Sequence, residues 1–99
     1  MTQPSQTLSI RLGHGIFFYL DGVQIPDPID LTQFDEFEGG NPLDFYRAIA
    51  TWADDRGVTH IIDENLAEME ILTLDEVEEG LPISQYTILA NSIGYEACN

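Results

Sequence analysis

The chain has 99 residues, enough for one domain with a single modest core, and its apolar fraction of 43% is ordinary for a globular protein. Its charge is not ordinary: eighteen acids face three arginines (Arg11, Arg47 and Arg56) and no lysine, a net charge of −15. A field of that sign excludes nucleic acid and anionic membrane surfaces as direct partners and points to a partner that carries a basic patch. The single cysteine, Cys98, has no partner for an internal disulfide. Together with the lack of a basic-then-apolar leader, it gives a reducing cytoplasm as the expected setting. The apolar runs 16–20 and 71–74 are too short to span a bilayer.

Taken in order, 1–6 is polar and expected to fray. Residues 7–12 alternate Leu8, Ile10 and Leu12 against Ser9 and Arg11, the period-2 pattern of a half-buried strand. Gly13-His14-Gly15 makes a turn, 16–20 a second strand, and Asp21-Gly22 the hairpin into a third at 23–25. Pro26-Asp27-Pro28 ends this β-meander. A loop follows to Gly40, with Phe34 and Phe37 packing and Asp35, Glu36 and Glu38 exposed.

Asn41 as N-cap, Pro42 at the first helical position and Asp44 at the positive end of the dipole open a helix over 42–56. Gly57 stops it. Val58–Ile62 is apolar and β-branched, an interior strand, and Asp63-Glu64-Asn65 turns the chain. Residues 67–72 alternate Ala67, Met69 and Ile71 with Glu68 and Glu70, which reads as a strand, although the same residues are good helix formers. Thr73 and Glu76 form a capping box with Leu72 and Val77 at staple spacing, opening a helix over 74–79 that Gly80 ends. Ser84 caps a last helix over 84–93, with Ile83 and Ile88 at staple spacing and Gly94 as its stop. The expected fold is a single α+β domain: a small, largely antiparallel sheet packed by the helix 42–56, with two shorter helices near the C-terminus.

The charge is unevenly spread. Residues 27–79 hold sixteen of the eighteen acids against Arg47 and Arg56, whereas 1–24 hold one base and one acid. The densest stretch is Asp63–Glu79, where eight of seventeen residues are acids with apolar residues threaded between them. That interleaving suits a folded element with one buried and one negative side rather than a disordered acidic tail.

No catalytic or cofactor motif stands out. His14 lies between glycines, and His60 with Asp63 three residues on is the one candidate His–carboxylate dyad for acid–base work. No nucleophile accompanies it, since Cys98 is terminal and no serine sits in an elbow. Neither 27–38 nor 63–75 has the acids and central glycine of a calcium loop, and two distant histidines with one cysteine do not make a zinc site. No cofactor or dedicated metal is expected.

Electrostatic imitation of nucleic acid remains. Carboxylates at i and i+2 on a strand, such as Glu68 and Glu70, fall at about twice the 3.3 Å rise per residue, close to the spacing of phosphates along DNA. Acids a helical turn apart, such as Asp75 with Glu78 and Glu79, are neighbours at about 5–6 Å. In size, charge and lack of an enzymatic motif the chain is similar to the small acidic inhibitors of phages and mobile elements: anti-CRISPR proteins, anti-restriction proteins and other DNA mimics. The likeness is one of composition and carries over no functional residue.

It implies a non-enzymatic inhibitor of a basic nucleic-acid-binding protein or complex, such as a CRISPR effector or a restriction enzyme. The partner-binding residues expected are Glu68, Glu70, Asp75, Glu76, Glu78 and Glu79, with Asp35, Glu36 and Glu38 as a second patch and Phe34, Phe37 or Tyr95 as apolar anchors. Reversing Glu76, Glu78 and Glu79 to lysine is expected to abolish binding and leave the fold intact. The alternative is an immunity or antitoxin-like protein that neutralises one basic toxin or nuclease. The plainest account is that the charge serves solubility alone.

Overall fold

A computed structural model of the chain describes residues 6–34 and 44–97, with side chains over 6–32 and 44–93. The second acidic patch (Asp35, Glu36, Glu38), the Asn41-Pro42 cap and Cys98 lie outside the described residues, as do the Phe34, Phe37 and Tyr95 side chains.

The fold is α+β, as the patterning predicts. Strands β1 (Thr7–Leu12), β2 (Ile16–Leu20) and β3 (Val23–Ile25) form the expected meander. Asp21 and Gly22 both take positive φ, 51° and 83°, as a two-residue hairpin of primed type requires. Asp21 also ties the strand entry, because its carboxylate accepts from the Thr7 N–H at 2.9 Å. Gln6 is not frayed: its carbonyl accepts from the Thr59 N–H and hydroxyl, both at 2.9 Å.

Helix α1 (Asp44–Asp55) leads to β4 (His60–Asp63), which pairs in parallel with β1. Helices α2 (Glu64–Glu68) and α3 (Leu74–Glu79) follow, then a two-residue strand β5 (Leu81–Pro82) antiparallel to β4, and α4 (Ile83–Ala97). The sheet order is β3-β2-β1-β4-β5, so β1 is central and the sheet is mixed, mostly antiparallel.

Register sorts the two sheet faces. Leu8 pairs with Leu20 and Ile61, and Ile10 with Phe18 and Asp63, so these share one face. Leu8, Ile10, Phe18 and Ile61 bury there with Phe45, Tyr46, Ile49, Ala50 and Ala53 of α1 and with Tyr86 and Ala90 of α4. The opposite face carries Ser9, Arg11, Phe17, Tyr19, His60 and Ile62. Gly80, with φ 83°, passes beside this face, where an added Cβ would stand in ordinary contact with Ile62 and the His60 Cβ. Helix α3 packs on β4 from that side, with Val77 buried.

Two further expectations fail. Residues 67–72 are not a strand; the sequence turns helical from Glu64 and ends in a tight turn. Asp63 N-caps α2, its Oδ1 accepting from the Asn65 N–H at 3.0 Å, and the helix formers Leu66, Ala67 and Glu68 follow. The apparent alternation is misleading because Met69, an inward position in a strand, is 47% exposed, whereas Leu66 is buried. The strand that follows β4 in the sheet is instead the two-residue Leu81–Pro82, at its edge.

The last helix also departs from expectation. It starts at Ile83, so Ile83 and Ile88 lie five helical positions apart, on different faces, and Ile88 is 70% exposed. The staple needs its first residue outside the helix. Gly94 does not stop α4, which continues to Ala97; an interior glycine costs about 1 kcal/mol relative to alanine, too little to end a helix.

Candidate partner interface

The acidic segment resolves into two kinds of carboxylate. The first kind is used by the fold. Asp63, 1% exposed, accepts a hydrogen bond from the Tyr86 hydroxyl on Oδ2 at 2.7 Å and one from the Asn65 N–H on Oδ1. The side-chain amide of Asn65 donates to the Tyr46 hydroxyl at 2.6 Å, and that hydroxyl donates to the Met69 sulfur. Burial pushes the Asp63 carboxyl up from 3.8 to about 6, against the pull of the Tyr86 and Asn65 hydrogen bonds. Burial, then the nearby Asp63 charge, holds both tyrosines above their ordinary value.

Glu64 accepts from the Leu12 N–H at 2.8 Å and from Arg11 at 3.2 Å, and the same Arg11 nitrogen reaches Glu78 at 2.6 Å. This cation therefore links β1, α2 and α3. The Glu78 hydrogen bond is the main reason its guanidinium is held charged even more firmly than usual. Glu76 completes the capping box: it accepts from the Thr73 N–H and hydroxyl, both at 3.0 Å, while Thr73 Oγ1 accepts from the Glu76 N–H. The Thr73 backbone, then its hydroxyl, pulls the Glu76 carboxyl below the usual range.

The second kind has no such role. The carboxylates of Glu68, Glu70, Asp75 and Glu79 are exposed and take part in no hydrogen bond or ion pair among the described residues. None of the three arginines pairs with them among the described residues. Arg11 is shared by Glu64 and Glu78, Arg47 lies 3.8 Å from Asp44, and Arg56 sits 5.1 Å over the Trp52 ring.

Glu70 is held at a sterically costly position. Helix α2 ends with the Ile71 N–H on the Leu66 carbonyl at 2.9 Å and the Glu70 N–H on the Ala67 carbonyl at 3.0 Å. Helix α1 ends with the same pair of bonds, Val58 to Ala53 and Gly57 to Asp54. This closure needs a left-handed residue, usually glycine. Gly57 fills it in α1 at φ 78°, but Glu70 fills it in α2 at φ 61°. A non-glycine residue there costs roughly 1–2 kcal/mol.

Of the six carboxylates expected at the interface, the structure thus brings four to the surface without a cation and ties Glu76 and Glu78 into the fold. Three findings revise the expectations. Glu68 and Glu70 are not strand neighbours, so spacing along a strand no longer supports them; the helical spacing of Asp75 and Glu79 stands. Reversing Glu76 and Glu78 would break the capping box and the Arg11 bridge, so that variant cannot separate binding from folding. His60 and Asp63 lie on opposite sheet faces, since the strand period of two separates i from i+3, and they form no dyad. His60 Nδ1 instead meets the Thr59 hydroxyl at 3.0 Å, and His14 is exposed beyond the other end of β1.

The buried Asp63–Tyr86 pair was legible only as an acid ending an apolar strand in front of helix formers, which is an N-cap signal. The sequence also missed the apolar surface that accompanies the free acids: Met69 and Leu74, the latter 57% exposed. Leu12, Ala67 and Leu74 line a pocket of about 350 Å³ with Glu64 and Glu68. Among the described residues no three His, Cys, Asp or Glu side chains group as a metal site, and no helix is long and apolar enough to cross a membrane. In comparisons with known proteins, no family model, no curated protein and no solved structure matches the chain.

Proposed function

We propose that this protein is a non-enzymatic inhibitor that offers a fixed set of carboxylates to the basic, nucleic-acid-binding surface of another protein or complex, in the manner of anti-CRISPR and anti-restriction DNA mimics. The observation that carries the reading is Glu70. At the turn between α2 and α3 the chain places an acid where glycine would be easier, and Glu68, Asp75 and Glu79 lie nearby in sequence without partners. Backbone strain kept at an exposed residue is a reason to look for function there. The charges are attached to short, capped helices, so they present the field without the ordering entropy of a flexible acidic tail. Such a surface attracts a basic groove and offers neither bases to read nor a phosphodiester to cut.

Exposed Met69 and Leu74 beside the acids favour a second reading, an immunity or antitoxin-like protein with one cognate basic toxin or nuclease, because apolar anchors supply affinity that charge alone does not. One experiment separates the two. Tagged protein is used to capture partners at low and high salt, with and without competing duplex DNA. A nucleic-acid-binding complex displaced by DNA and by salt is the result expected for the mimic. One small partner indifferent to DNA would establish the second reading, and no retained partner in any condition would leave the charge to solubility.

A further inference from the structure

The pocket between the end of β1, α2 and the start of α3 combines two features that restrict its occupant. Its wall is apolar, made by Leu12, Ala67 and the largely exposed Leu74, and its acids are Glu64 and Glu68. Glu64 is turned toward Arg11 and the Leu12 N–H, whereas Glu68, one helical turn on, has no cation. A purely apolar occupant would strip water from Glu68 with nothing to offset its charge. An anionic occupant would be repelled by the net −15 of the chain. A lysine or arginine side chain meets both demands, since it lays a long apolar stem along a greasy surface and keeps its cation at the edge. Arg11 does not fill this role itself: it is not among the residues that line the pocket, and its guanidinium is held between Glu64 and Glu78.

We infer that this pocket receives one basic side chain of a protein partner, with Glu68 as its counter-charge and Leu12, Ala67 and Leu74 gripping its stem. The inference rests on the proposed function and deepens it, because it converts a diffuse acidic field into a surface with a fixed point of register.

The test uses an acetylated oligo-arginine peptide as the probe, followed by methyl NMR and by calorimetry at low and physiological salt. Wild-type protein should show the largest shifts at the Leu12, Ala67 and Leu74 methyls. Ala67→Leu, which fills the pocket without changing charge, should weaken binding about tenfold. Glu68→Gln should do the same, while Glu79→Gln, an equal change of charge outside the pocket, should weaken it only about twofold. Leu74→Ser removes an exposed wall and serves as the second pocket variant if Ala67→Leu lowers the melting temperature. If the pocket variants bind like wild type, and Glu68→Gln and Glu79→Gln weaken binding equally, the pocket inference is overturned while the acidic-field reading survives. If the peptide does not bind even at low salt, both fail together.

Discussion

Asp63 and Glu70 stand seven residues apart in one acidic segment, and they are opposite uses of a carboxylate. Asp63 is sealed under Tyr86, starts α2 and resists ionisation. Glu70 ends the same helix in a left-handed conformation, faces water and touches no cation. Glu64, Glu76 and Glu78 belong with Asp63, in that each has a hydrogen-bonded task within the fold; Glu68, Asp75 and Glu79 belong with Glu70. The contrast teaches that net charge overstates what is available to a partner. Four of the eight acids in Asp63–Glu79 hold the fold together, and the other four, on the turn and helices between β4 and β5, are what this segment leaves for a partner.

The largest test of this division is the pH dependence of Asp63. Its folded pKa lies above its unfolded value, so the native state binds the proton more readily. The contribution to stability is complete below about pH 4 and is lost as pH rises toward and past 6. At about 1.4 kcal/mol per unit, the fall is on the order of 3 kcal/mol. Asp63→Asn should flatten that part of the stability–pH curve in urea titrations between pH 4 and 7. An unchanged slope would mean that the buried carboxyl is not the group responsible. Glu76 acts with the opposite sign: its lowered pKa adds stability that disappears as pH falls below the usual carboxyl range.

Glu64→Ala comes next. It leaves the Leu12 N–H without its acceptor and Arg11 with Glu78 alone, and should lower stability by about 1–2 kcal/mol, read as a shift in the denaturation midpoint. Glu70→Gly should act the other way, raising stability by about 0.5–1 kcal/mol, because relief of the left-handed strain exceeds the added entropy of the unfolded chain. Glu70→Ala keeps the strained backbone and should change little, so the pair isolates conformation from charge. If Glu70→Gly is destabilising, the turn is not strained as described.

Smallest in stability is the joint change Glu68→Gln, Glu70→Gln, Asp75→Asn and Glu79→Gln, expected to stay within about 0.5 kcal/mol of wild type, as surface substitutions do. The same variant should lose partner capture. Retained capture would remove these four acids from the interface.

Much of the fold was open to reading because local chemistry decided it. The Asp21-Gly22 turn fixes the first hairpin, alternation fixes which face of β1 is buried, and the Thr73–Glu76 capping box opens α3 at Leu74. Residues 66–72 failed for the reverse reason: alternation and helix propensity conflict there, and only the burial of Leu66 and the closure around Glu70 settle the conflict. The acidic segment was legible as a region and not as a site, because a sequence counts charges without their partners. Arg11, more than fifty residues from Glu64, changes the role of two glutamates.

From the sequence alone follow the sign and location of the field, the α+β class, the meander and both ends of α3, since each depends on composition or on residues a turn or a hairpin apart. Tertiary structure alone decided that β1 is the central strand paired in parallel with β4, that His60 and Asp63 face apart, and that Asp63 is buried against Tyr86. It also decided which carboxylates are left without partners. These depend on contacts between distant residues and on exclusion of water, and neither is encoded in local spacing.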